Sequence, residues 1–274
     1  MVLSTVLRVQ NHEPSDVSLP VMGLARLGPF GRIPSARHWC KAATAAGTSD
    51  ATAGRKKADA GTGKPPSDFR IDTLVTMGAL KSDPHCAASV PIYQTATFDV
   101  RGGGKEFDYT RSGNPTRGVL ESMCAVLHSG KRAFAFTSGM AALTACLRLL
   151  KPGDCVLASS DIYGGMHREL MYSTVHSGLV VEFVETWDAA AVERRMSRSA
   201  HRVKMICMES PTNPKLKVSD IRALARIARA NDAYLLVDNS IMSPMLSRPL
   251  ELGADLVVES ATKYAQRAPF DPRP

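Results

Sequence analysis

From about residue 130 onward, short continuous apolar runs alternate with stretches in which apolar residues recur every three or four positions. The runs "RAFAF" (132–136), "CVLA" (155–158), "LVVEFV" (179–184), "VKMICM" (203–208), "AYLLVD" (233–238) and "DLVV" (255–258) predict short, buried strands. After the first of them, Met140, Leu143, Leu147 and Leu150 mark one face of a helix, which "KPGD" (151–154) ends. In "SDIRALARIARAN", Ile221, Leu224, Ile227 and Ala228 share a face. Ser219 is the predicted N-cap of that helix, and Asn231 its left-handed stop. Strands separated by helices predict βαβ units, a mostly parallel sheet and an α/β fold. Ligands of such sheets sit at the carboxyl ends of the strands.

Those ends carry distinctive residues. The strand 132–136 runs into Thr137, Ser138, Gly139 and Met140, where a helix opens. Free amides at a helix N-terminus suit a phosphate, and a glycine lets the backbone come close. The strand 203–208 ends in "ESPTNP", whose two prolines are expected to hold the loop extended and set Asn213 at the sheet edge. The strand 233–238 ends at Asp238, an acid that burial makes costly without a cationic partner. The strand 255–258 ends at Ser260, Thr262 and Lys263. Four strand ends therefore deliver a phosphate cradle, an amide, an acid, and a lysine with two hydroxyls. Pyridoxal 5′-phosphate (PLP) uses that whole set: a lysine for covalent attachment, an acid facing the pyridine nitrogen, and hydroxyls and amides for its phosphate.

The first 66 residues follow no sustained helical or strand period and are broken by Pro and Gly. They hold nine Lys/Arg and four Asp/Glu, against 25 and 22 in the remainder, so most of the net charge of +8 lies there. Arg8, Arg26, Arg32, Arg37 and Arg55 scattered among Ser, Thr, Ala and Gly read as an import leader, disordered before it reaches its organelle. A plastid is the expected destination, with mitochondrion or cytoplasm as alternatives. The nearly balanced body shows no basic-aromatic stripe, which argues against a nucleic-acid partner. No apolar run approaches the roughly 18 residues of a membrane span. The six cysteines form no C-x-x-C pair and no histidines stand at ligand spacing, so no metal is expected. Cys124, Cys146, Cys155 and Cys207 read as small core residues.

Seven motifs then occur in one order: "YQTATF" (93–98), "YTRSGNPTR" (109–117), "FTSGMAAL" (136–143), "DIYGG" (161–165), "ESPTNP" (209–214), "VDNSIMSP" (237–244) and "SATKY" (260–264). From about residue 70 to 264 the chain resembles the PLP-dependent enzymes of Cys/Met metabolism. Its segments 109–117 and 237–255 look most like the plant-type cystathionine β-lyase branch. The resemblance implies the large domain of the aspartate-aminotransferase-like fold, fold type I, spanning residues 130–264. A leader (1–66) and an arm (67–129) with oligomer contacts would precede it. It implies that Lys263 attaches the cofactor and acts as the base at the substrate Cα. Asp238 would keep the pyridine nitrogen protonated, and Tyr163 would stack on the ring. Gly139, Met140, Ser260 and Thr262 would hold the phosphate, and Tyr109 and Arg111 would reach a neighbouring subunit's site. Tyr109 and Asn213 would touch substrate. The implied reaction converts L-cystathionine to homocysteine, pyruvate and ammonia, in a homo-oligomer built as a dimer of dimers. A γ-synthase or γ-lyase of the same family, and a non-catalytic fragment that joins full-length subunits, are the alternatives.

Relatives continue past the lysine motif into a glycine-rich segment and a small C-terminal domain. Here "AQRAPFDPRP" (265–274) reads as an irregular tail. The expectation is a truncated chain, weakly active or inactive, without that domain's substrate-carboxylate arginine. The sheet edge beside 255–258 is expected to be exposed.

Overall fold

The computed structural model describes residues 89–99 and 106–263 with their side chains, and the backbone of residues 5–7. The rest of the leader, the start of the arm and the tail after Lys263 lie outside the described residues. The described segments fall in one compact unit, Met1–His12 with Ile71–Pro274; the second unit, Glu13–Arg70, lies outside the description.

Seven strands form one sheet: β1 (Thr5–Leu7), β2 (Arg132–Phe134), β3 (Cys155–Ser159), β4 (Val180–Val184), β5 (Val203–Glu209), β6 (Tyr234–Asp238) and β7 (Leu256–Val258), in the order β2-β1-β7-β6-β5-β3-β4. Strands β4, β3, β5, β6 and β7 are parallel throughout. Strand β1 runs antiparallel to both of its neighbours, with Val6 opposite Ala133 on one side and Val257 on the other. Among the described residues are six helices: α1 (Pro115–Leu127), α2 (Gly139–Leu147), α3 (Gly164–His176), α4 (Ala189–Arg198), α5 (Ile221–Ala230) and the single turn α6 (Ser243–Leu246).

Alternation along the central strands builds two cores, one on each face of the sheet. Leu157, Ile206, Met208, Leu235, Val237 and Val257 pack with Val192 of α4 and Leu224 and Ala228 of α5. Val156, Ala158, Met205, Cys207, Leu236 and Val258 pack with Leu143 and Leu147 of α2 and Met166 and Leu170 of α3. Two-sided burial explains why these strands are apolar runs and not alternating ones. Burial pushes the Cys155 thiol up to about 11 and that of Cys207 still further, which suits inert packing residues.

Four expectations change. The edge beside β7 is covered, because β1 lies between β7 and β2. A leader without strand period thus supplies a strand, since a sheet gap offers backbone partners to any extended segment. Asp220, not Ser219, caps α5: its side chain accepts from Ala223 N at 2.9 Å. Ser219 is buried and donates to Thr186 Oγ1 at 3.3 Å instead. The left-handed residue after α5 is Asp232, at φ 52°, and Asn231 keeps a negative φ. Finally, the 209–214 loop does not run extended. Leu216 N donates to Thr212 O at 2.9 Å, and Thr212 N to Lys217 O at 2.9 Å, so the chain folds back on itself.

Candidate active site

The ends of β5, β6 and β7 form the floor of the site. Glu209 and Asp238 are cross-strand partners at the last residues of β5 and β6. Two acids side by side repel, and both carboxyls titrate high. Burial raises Glu209 to about 7, helped by the charge of Asp238 and opposed by bonds from the Asn213 and Tyr163 N–H groups. Burial also raises Asp238, against the hydroxyl and N–H of Ser240 and with a push from Glu259. Ser240 N donates to Asp238 Oδ1 at 2.9 Å. Among the described residues no cation pairs with the half-buried Asp238.

Glu209 was missed as a site residue. One of its oxygens, Oε2, accepts from Tyr163 N and from Asn213 N, both at 3.1 Å. A single buried carboxylate thereby fixes the loop before α3 and the loop after β5. A sequence signal existed: an acid ending an apolar strand, directly before the Pro-rich loop. Asp161 repeats the device one layer out. Its Oδ2 accepts from the Thr212 hydroxyl, and from Lys215 N at 3.2 Å.

The lysine loop joins this floor through serines. Ser260 N donates to Ser240 Oγ at 2.8 Å, which links the β7 end to the Asp238 turn. Ser260 Oγ and Thr262 Oγ1 share a hydrogen bond at 2.6 Å, and Lys263 N closes the turn on Ser260 O at 3.0 Å. Across from them α2 opens. Ser138 caps it by accepting from Ala141 N at 3.1 Å. Gly139 lies so close to the lysine loop that a Cβ there would stand 3.1 Å from the Ser260 Cβ. A glycine there keeps the start of α2 close to the two hydroxyls, where any larger residue would crowd Ser260. Tyr163 heads α3 and is 43% exposed. A Cβ on Gly165 would meet that ring at 2.4 Å and Met140 Sδ at 3.0 Å, so Gly165 is the gap in which Tyr163 and Met140 meet.

The structure therefore brings together Gly139, Met140, Tyr163, Asn213, Asp238, Ser260, Thr262 and Lys263, the last exposed at the site. Tyr109 and Arg111 stand apart from that chain of contacts. Arg111 lies over the Tyr109 ring at 5.1 Å, Tyr109 bridges Thr97, and Arg117 donates to Arg111 O at 3.3 Å, all within the arm. The arm turns into α1 at Asn114, whose side chain accepts from Thr116 N at 2.9 Å.

Comparison with known proteins supports the same region. The profile of the family described as Cys/Met metabolism PLP-dependent enzyme matches residues 72–266. A chloroplastic cystathionine beta-lyase of Arabidopsis thaliana is 48% identical over 196 residues, covering 71% of this chain and 42% of that protein. A chloroplastic mimosinase of Mimosa pudica is 45% identical over 197 residues, covering 71% of this chain and 44% of that protein. Among solved structures, cystathionine gamma-lyase from Lactobacillus plantarum, complexed with L-serine, superimposes with a TM-score of 0.67 at 38% identity, over 72% of this chain and 51% of that one. The chain spans less than half the length of the two curated relatives.

Proposed function

Because the chain belongs to the Cys/Met metabolism family of PLP-dependent enzymes, we propose that it carries the cofactor half of a carbon–sulfur lyase acting on L-cystathionine. The observation that carries this reading is the grouping of Asp238, Ser260, Thr262 and Lys263 at adjoining strand ends, opposite the α2 N-terminus. The residues fit PLP. The close approach of Gly139 to Ser260 leaves a cradle of amides and hydroxyls for a phosphate. The acid of Asp238, unpaired with any described cation, suits a protonated ring nitrogen.

When bound, PLP supplies an electron sink that makes loss of a Cα proton feasible at neutral pH. The chain's own residues would do the rest. Gly139, Met140, Ser260 and Thr262 would hold the phosphate. Asp238 Oδ atoms would hold the proton on the ring nitrogen. Tyr163, fixed through its N–H by Glu209, would cover the ring face. Lys263 Nζ would take the proton from the substrate Cα as the Cβ–S bond breaks. The sulfur would leave as homocysteine, and water would release the remaining three-carbon unit as pyruvate and ammonia. Tyr109 and Arg111, whose contacts stay within the arm, would serve the site of a second copy. Arginine suits that task because its planar fork pairs two phosphate oxygens.

The test is to incubate the 274-residue chain with PLP, reduce one portion with borohydride and map its peptides, and assay a second, unreduced portion with L-cystathionine. A pyridoxyl group on Lys263 is expected, and it is abolished in Lys263→Ala. A label elsewhere overturns the assignment. Slow pyruvate release supports β-elimination; 2-oxobutyrate would favour a γ-lyase, the activity named for the solved neighbour. A label without product would favour a chain that acts only alongside longer subunits. We further propose plastid import through residues 1–66, as for relatives named chloroplastic, so that β1 (Thr5–Leu7) belongs to the sheet only while the leader stays attached. A fluorescent fusion of those residues that stays in the cytosol would count against it.

A further inference from the structure

We infer that the buried pair His128–Glu259 is a clamp that holds the two halves of the phosphate cradle in register. This inference rests on the PLP reading of the site. The two halves come from different strands: Ser138, Gly139 and Met140 follow β2, and Ser260, Thr262 and Lys263 follow β7. Those strands exchange no backbone hydrogen bonds with each other, because β1 lies between them. Yet Gly139 and Ser260 must stay within van der Waals distance for the cradle to exist.

His128 closes the C-terminus of α1, four residues before β2 begins, and Glu259 immediately precedes Ser260. His128 Nε2 and Glu259 Oε2 are 2.8 Å apart, and each residue is 2% exposed. The pair is a direct side-chain tie between the segment that leads into β2 and the one that leaves β7. A second tie from the same turn, Ser129 Oγ to Glu251 Oε1 at 2.5 Å, lies at the surface and reaches the segment before β7.

The chemistry of the pair argues for a role beyond packing. His128 Nδ1 and Glu259 Oε1 are buried, and among the described residues neither has a hydrogen-bond partner. A half-satisfied buried ionisable pair stabilises less than apolar residues of the same volume would, so holding a defined geometry is what such a pair offers over a hydrophobic contact. Glu259 also stands near enough to Asp238 to bear on its carboxyl. The 2.8 Å contact between His128 Nε2 and Glu259 Oε2 fixes where that carboxyl group stands relative to Asp238. His128 and Glu259 are thus positioning residues, acting through Ser260 and Asp238.

The experiment uses the full chain with His128→Ala, with Glu259→Gln, and with the exchange His128→Glu/Glu259→His. PLP affinity is measured by equilibrium dialysis. Amide hydrogen exchange of residues 138–140 and 260–263 is measured without PLP, together with the unfolding midpoint. Each single change is expected to weaken PLP binding by about tenfold or more and to speed exchange in both segments together. The exchanged pair is expected to recover both. Glu259→Gln keeps the shape of the side chain and guards against a His128→Ala chain that merely fails to fold. Unchanged PLP affinity beside a lowered midpoint would make the pair a fold element only and overturn the clamp. An exchanged pair no better than the singles would do the same. If the parent chain binds no PLP, the cofactor reading fails by itself. The exchange measurement then still decides: coupled opening of the two segments supports the clamp, and unchanged protection overturns it.

Discussion

The β3–β5–β6 centre of the sheet and its β2–β1–β7 flank are built on different terms. The centre is parallel, five to seven residues deep and buried on both faces, and it presents Glu209 and Asp238. The flank consists of three-residue strands and leads into Lys263 and the residues proposed to hold the phosphate. Among the described residues its outer strand β2 pairs only with β1, a segment from outside the matched family region. The acids that would act on the ring thus stand on a rigid platform. The groups that would grip the phosphate stand on a part held by few backbone bonds and by side-chain ties. Position is strongly enforced in one half of the site and weakly in the other.

Leu236→Ala should break the centre most severely. Leu236 is wholly buried in β6, and its truncation is expected to cost about 2–5 kcal/mol of stability. A denaturant titration would show it, and a loss below about 1 kcal/mol would mean that the centre is not the anchor described. Val6→Pro should damage the flank, because proline removes a ladder donor from a strand paired on both sides. Its effect is expected to be local: faster amide exchange in Arg132–Phe134 and Leu256–Val258, with β3, β5 and β6 still protected. Cooperative unfolding of all strands would erase the distinction between the two regions.

Gly165→Ala should act on the site alone. Its Cβ would collide with the Tyr163 ring, which has to turn away. PLP affinity is expected to fall about tenfold, equal to about 1.4 kcal/mol, and the unfolding midpoint to move little. The smallest effect is in pH. The folded chain holds a proton on Glu209 up to about 7, whereas the unfolded chain loses it near 4.5. Between those values the folded state binds more protons, so stability falls as pH rises through the window and levels off above it. Asp238 shifts in the same direction. Glu209→Gln should remove the Glu209 part of that slope in midpoints measured across the window; an unaltered slope would place its origin elsewhere.

Much of the centre could be read from the chain, because two-sided burial writes itself as continuous apolar runs and the strand ends follow directly. The caps of α5 show the limit. Ser219 and Asp220 are both good capping residues, and only the burial of Ser219 against Thr186 decides between them. Glu209 escaped notice because its partners are backbone N–H groups of Tyr163 and Asn213, which carry no sequence identity. His128 and Glu259 are 131 positions apart, and neither looks unusual until the fold buries both. Helices α1, α3 and α4 are not legible in the sequence pattern, since their apolar faces are short and mixed with charge. Tyr109 and Arg111 owe their assignment to resemblance alone.

Strand β1 also sets an order of events. Its partners lie near residues 133 and 257, so its pairing with β7 cannot form until residues 256–258 have been synthesised. The loops that it closes are long, yet closure entropy grows only slowly with length, so the delay is one of rate more than of equilibrium. Until it arrives, one side of β7 offers unpaired amides and carbonyls to any extended chain nearby. The newly made protein passes through an interval in which its own first residues compete with foreign strands for the same slot. Early capture by a chaperone, or a slow supply of chain, would decide how often the right segment wins.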